Sequence, residues 1–272
     1  MINFLKLIFL IPIICSTLFG QDSLKAIELG YLDSLKGVYT LDKVPYTGPV
    51  FKKLGIGLMT GSYKEGIKHG LWQTFNNIGE PLMIGNYNEG KKNGPFEQWY
   101  DDGEKRRREL VATFDQNNYI GEYKEWYENG KKSIIGFYIN GKEDGKYIEW
   151  YENGKKALKT KYINGKPDGW YREWYENGQK ALKMRFENGK VNGKWVQWFS
   201  NGNKELSLKY VNGVPRGRAK FWFEDGTLRA EGIVKSEVVG GGWILEDAVV
   251  IKESSSNLGF SANYKNIFKY NI

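Results

Sequence analysis

The stretch Glu125-Trp126-Tyr127-Glu128-Asn129-Gly130 recurs letter for letter at 149–154 and again at 173–178, so the three copies start 24 residues apart. A hexapeptide kept at a fixed interval marks a repeat protein, and that reading has to come before any other. Anchored on a glycine, repeats begin at Gly145, Gly169 and Gly193, with further copies from Gly70, Gly94 and Gly121 and a last partial one from Gly217. The interval from Gly94 to Gly121 is 27 residues, which places a three-residue insertion in the region 104–109. Gly48 to Gly70 is a degenerate copy of 22 residues. About eight units of period 24 are expected over 48–234.

Each unit reads as two short strands. Some seven strand-like residues follow the anchor glycine and end at Asn-Gly or Asp-Gly, as at Asn129-Gly130, Asn153-Gly154 and Asn177-Gly178. Between strand-like runs this dipeptide is the signature of a tight hairpin, and a type I′ turn with φ > 0 at both central residues is expected there. A second strand runs to another Asn-Gly, such as Asn140-Gly141 or Asn164-Gly165. The expected fold is all-β: an elongated repeat array of stacked antiparallel β-hairpins in a single twisted meander sheet, with non-repeat caps. No hairpin buries its own face, so neighbours must stabilise one another. The caps, 21–47 and 235–272, protect the open edges. VVGGGWILEDAVVI within the second cap reads as two strands around a glycine turn.

Alternation along the strands sorts the side chains into two faces. Tyr147, Glu149 and Tyr151 share one with Leu158, Thr160 and Tyr162, and this face is apolar in other repeats, so it is the expected core. The other carries a row of tryptophans: Trp99, Trp126, Trp150, Trp174, Trp198 and Trp222. Small residues, Ser133, Ala157 and Ala181, are expected opposite three of them. The row has two readings, a packing ladder or a binding platform on which sugars or other flat groups stack.

Composition supports strands and excludes disorder. With 15% aromatic residues, 10 Trp and 18 Tyr the chain is no disordered segment. Its 34 Gly against 7 Pro suit tight turns. Residues 1–20 are different: Lys6 precedes an uncharged run, Leu7–Phe19, that ends in small residues before Gln21. This is the layout of a secretory signal peptide, and the run is short for a transmembrane span. Export to the periplasm, the cell surface or the medium is expected, with no transmembrane helix in the mature chain. Cys15 is the only cysteine, and Ile14 stands where lipidation would require a small residue. Simple export is therefore preferred to a lipoprotein. The mature chain is left without thiols for disulfides, metal ligation or nucleophilic catalysis. The net charge of +8 is a weak pointer to an anionic partner.

The strand-Trp-Tyr-x-Asn-Gly core, the Tyr-x-Asn-Gly-Lys end of the second strand and the opening Val44-Pro45-Tyr46-Thr47-Gly48 resemble the bacterial MORN-repeat variant family, over about 40–234. The resemblance implies a β-repeat scaffold without chemistry of its own. It also implies the antitoxin label given to some such proteins, which fits poorly with a signal peptide.

No catalytic constellation stands out. His69, the only histidine, lies in Lys68-His69-Gly70 between two units, where other repeats place Asn93, Asp144 or Asp168. The recurring Glu125, Glu149 and Glu173 could form a carboxylate pair, but a catalytic pair should be unique, so these are repeat grammar. The unique basic feature is Arg106-Arg107-Arg108 in the insertion, which reads as a solvated loop and, being unique, as a better functional candidate than any repeated residue. The functional expectation is an exported, non-enzymatic scaffold that binds a protein or a cell-envelope component, with no cofactor, metal or nucleic acid. A glycan-binding array is the alternative.

Overall fold

The computed structural model describes residues 25–55, 57–103, 105–239 and 242–250, and over 235–250 the backbone alone. The expected signal peptide and the polar tail beyond 250 lie outside the described residues. Within them the chain is built of strands, one short 3-10 turn at Leu29–Tyr31 and no α-helix. Its contacts form two compact units. The first runs to Lys132 and takes in Phe137–Lys142; the second consists of Ser133–Gly136 and the chain from Glu143 onward.

In the first unit, seven strands follow one another as antiparallel neighbours: Gly48–Leu54, Gly57–Lys64, Ile67–Asn76, Pro81–Asn88, Lys91–Asp101, Arg106–Asp115 and Asn118–Trp126. Ile27–Glu28 adds to the first of these in parallel, with Ile27 beside Val50. That pairing satisfies backbone groups that an open edge would offer to another chain. A small sheet of Asp33–Leu35, Val38–Leu41 and Val44–Pro45 packs nearby. Leu32, Val50, Tyr63 and Trp72 form one buried cluster, with Tyr39 and Tyr46 packed against it.

In the second unit the meander continues through Gly145–Trp150, Lys156–Ile163, Gly169–Trp174, Lys180–Glu187, Gly193–Trp198, Lys204–Val211, Val214–Trp222, Leu228–Val239 and Gly242–Val250. The core lies on the expected face. Leu158 pairs with Glu149 and Glu173, Thr160 with Tyr147, and both Leu158 and Thr160 are buried. Toward the end of the unit Met184, Phe186, Leu206, Leu208, Tyr210 and Phe221 form one cluster. The other face is buried in part as well, at Ile148 and Val196.

The anchor glycine has a physical reason. From Gly70 to Gly217 each anchor has positive φ, as at Gly121 (φ 71) and Gly193 (φ 98). There the ladder slips: Gly70, Leu71 and Trp72 face the single residue Gly61, and Gly217, Arg218 and Ala219 face Leu208. Such bulges bend the strand and add twist. A side chain at the anchor would strain the left-handed backbone. Gly61 has another reason: a Cβ there would come within 2.2 Å of the Trp72 ring.

Candidate functional site

The geometry of the repeated hexapeptide accounts for most of its letters. In all three copies the tyrosine N–H donates to a carbonyl four residues on, and the glycine N–H donates back to the tyrosine carbonyl, as in Tyr151→Lys155 and Gly154→Tyr151. Gly154 has φ 87, whereas Asn153 is not in the left-handed region. This corrects the expected type I′ turn: the loop has three residues, a type I turn closed by a left-handed glycine bulge. Type I′ geometry belongs instead to the second turn of each repeat, where Asn164 (φ 52) and Gly165 (φ 76) are both left-handed.

The asparagine works in two directions. Asn153 Oδ1 accepts from the Lys155 N–H at 2.8 Å, which fixes its own turn, while Nδ2 donates to the Glu176 carbonyl of the next repeat at 2.8 Å. Asn177 reaches Ser200 and Asn201 reaches Glu224 in the same way. The tyrosine hydroxyls form a second ladder, Tyr151 to the Trp174 carbonyl and Tyr175 to that of Trp198. The first glutamate is held from the core side: Tyr123 donates to Glu125 and Tyr171 to Glu173, each at 2.7 Å. Burial, and then the bonded carboxylate, push the hydroxyls of Tyr123 and Tyr171 above their ordinary 10.0. These acids are engaged with tyrosines, not with one another.

Trp99, Trp126, Trp150, Trp174, Trp198 and Trp222 are all half-buried at equivalent register positions. Their cross-strand partners differ from expectation. The loop bulge shifts the register by one residue, so Trp150 faces Lys156 and Trp174 faces Lys180, and Ala157 and Ala181 are the extra residues of the bulge. The lysines then reach forward: Lys180 lies 5.8 Å from the ring centre of Trp198, and Lys204 5.7 Å from that of Trp222. In the first unit the Arg106 guanidinium lies 4.7 Å from the Trp99 ring centre. Cations over indole faces attract by the ring quadrupole.

Arg106, Arg107 and Arg108 do not form a loop. They open the strand Arg106–Asp115 and face Asp101, Tyr100 and Trp99, so the insertion lengthens a hairpin. Arg106 also donates to the Pro81 carbonyl at 2.7 Å. Arg107 holds Asp102 at 2.8 Å with both terminal nitrogens, and Arg108 lies 3.7 Å from Glu97. Each arginine has a contact within the chain, and the run lies in a paired strand, not in the expected loop. His69 likewise sits in the strand Ile67–Asn76, opposite Ser62, whose hydroxyl donates to the His69 carbonyl at 2.6 Å. Among the described residues no group of three or more His, Cys, Asp or Glu could hold a metal ion. No helix among them is long and apolar enough to cross a membrane.

One aromatic ring stands outside the tryptophan row and was not singled out by the repeat pattern. Trp170 is 41% exposed and occupies the place that Lys146 and Lys194 hold in the adjoining repeats. The signal lay in that departure from the pattern.

No curated protein matches the chain. The family model for the MORN repeat variant matches 119–140 and 143–164. MORN repeats are a non-catalytic repeat type found as scaffolds of protein and membrane interaction. The matched residues end at the two type I′ turns, Asn140-Gly141 and Asn164-Gly165; these two units are similar to the MORN repeat variant, and the glycine-anchored units on either side share their grammar.

Proposed function

We propose that the chain is an exported, non-enzymatic scaffold that binds another protein, or a component of the cell envelope, through its patterned sheet. The observation that carries this reading is the use of the repeated polar side chains. The tyrosine hydroxyls and asparagine amides of successive repeats are spent on the next repeat's carbonyls, as in Tyr151 to Trp174 and Asn153 to Glu176. What recurs is a surface of constant spacing rather than a converging set of reactive groups. A solenoid-like array of this kind offers extended binding area. Lys6 and the apolar run Leu7–Phe19 support export.

Two measurements test the proposal. N-terminal sequencing of the protein from its natural host should give a start near Gln21, and a stable form beginning at Met1 would refute export. Cross-linking in intact cells should join the chain to a reproducible partner through lysines of the sheet. Recovery of the chain as an uncrosslinked species alone would count against a scaffold.

A further inference from the structure

We propose that the face of the second unit centred on Trp170 binds an anionic polysaccharide. The proposal rests on the reading of the sheet as an interaction surface and names its ligand class. Trp170 pairs with Arg185, and Arg172 lies between Lys159 and Lys183 on the adjoining strands. One strand further, Lys146 faces Lys161. Like charges placed directly opposite destabilise a sheet, yet Lys146, Lys159, Lys161, Arg172 and Lys183 form no ion pair among the described residues. The acids of this face lie to the side: Glu187 approaches Arg185 at 3.4 Å, and Glu231 holds Arg218 and Lys220 at 2.7 and 2.9 Å. A group of cations kept without counter-charge at a cost in stability is explained by an anion that arrives from outside.

The ring narrows the class. Lys183 Nζ lies 4.4 Å and the Arg172 guanidinium 5.3 Å from the ring centre of Trp170. A flat indole flanked by cations suits a sugar ring whose C–H face stacks while its carboxylate meets a lysine or arginine. The spacing agrees. Cations on successive strands recur at ~4.8 Å, close to the length of one sugar residue in an extended chain. An extended acidic peptide presents side chains on one side only every second residue, roughly 6.6 Å apart, and matches less well. An anionic bilayer would call for an apolar collar around the ring, whereas Trp170 is surrounded by Arg172, Lys183 and Arg185.

The test uses the full chain with polygalacturonate, polyglutamate and phosphatidylglycerol vesicles. Polygalacturonate should bind, and affinity should fall on the order of tenfold when salt is raised from low to high concentration. Lys159→Glu with Lys183→Glu should abolish binding. Trp170→Lys is the decisive variant, because lysine is the residue at 146 and 194, so the fold is kept and a positive charge is added. If the ring stacks on sugar, this variant binds polygalacturonate several-fold more weakly despite its extra charge. Tighter binding by Trp170→Lys would overturn the proposal, as would equal or better binding of polyglutamate or of vesicles. A cross-linked protein partner kept by wild type and double variant alike, with polygalacturonate bound by neither, would overturn it too and leave the scaffold reading standing.

Discussion

At the scale of single residues, the repeat is held together by groups that each do two things. Asn153 is the clearest, with its oxygen closing a turn and its nitrogen bonding the next repeat. The two roles separate in Asn153→Asp. The carboxylate still accepts from Lys155, but it has no proton to give Glu176 and faces that carbonyl with a negative charge. A loss of about 0.5–1.5 kcal/mol is expected, readable as a lower urea midpoint with an unchanged slope. The same change at Asn177 and Asn201 should add further steps, since those amides bond Ser200 and Glu224. Unchanged melting of the triple variant would show that the amide ladder contributes nothing. The chain contains a natural version of the substitution: Asp225 occupies the last such turn, where its carboxylate accepts from the Thr227 N–H and hydroxyl. The tryptophan row invites a second residue-scale test. As a packing ladder, Trp150→Ala should cost ~2 kcal/mol, less than a fully buried ring because Trp150 is half-buried. Tyr162→Ala, on the core face against Tyr147 at 5.4 Å, should destabilise in any case. If Trp150→Ala melts like wild type while Tyr162→Ala does not, the row is free to serve a ligand.

At the scale of strands and turns, the hairpins and their period were legible because the chain supplies its own copies, and Gly154 lies at positive φ as its turn signal required. The turn type was not legible. Asn-Gly fits a type I′ pair of left-handed residues at 164–165 equally well as the right-handed then left-handed pair at 153–154. What separates them is how the flanking strands pair, with Tyr151 bonding Lys155 across three residues. That register also explains why Ala157 is not the seat of Trp150. The arginine insertion was legible as a position and misread as a loop, because strand extension depends on Asp101, Tyr100 and Trp99 being free to pair with it. The two turn types make opposite demands on asparagine. Asn164→Val puts a β-branched residue at φ 52 and should cost about 1–2 kcal/mol. Asn153→Val keeps an allowed backbone and loses only side-chain bonds, so its cost should be smaller. Gly154→Val should again be severe. Thermal melts in which Asn153→Val proved worse than Asn164→Val would contradict the assignment of the turns.

At the scale of the whole molecule, the tyrosines tie stability to alkaline pH. Burial raises the hydroxyls of Tyr63, Tyr87, Tyr123, Tyr162, Tyr171 and Tyr210 above the ordinary 10.0, with a nearby Tyr39 adding to Tyr63. A group whose folded value is raised binds its proton more tightly in the fold than in the unfolded chain. Its contribution is complete below 10 and is lost as pH rises above it, because the unfolded tyrosines ionise while the folded ones resist. Lys68 and Lys92 act in the opposite sense. Burial lowers both, with Lys92 adding to the shift of Lys68, so the cost of keeping them charged is relieved as pH rises toward 10.5. They sit over the aromatic faces of Trp72 and Phe96 at 4.3 and 4.1 Å. Stability is therefore expected to be level or to rise slightly up to about pH 10 and to fall steeply beyond it, as the more numerous tyrosines outweigh two lysines. Urea melts from pH 8 to 11.5 would show the break, and, exposed tyrosines such as Tyr31 apart, tyrosinate absorbance should appear together with unfolding rather than ahead of it. Tyr171→Phe removes one raised group, along with its bond to Glu173, and should flatten the alkaline slope while lowering stability at neutral pH. Tyrosinate signal appearing stepwise from a chain still folded at pH 11 would show that these hydroxyls are open to water, and that the aromatic face they line is not the core of the array.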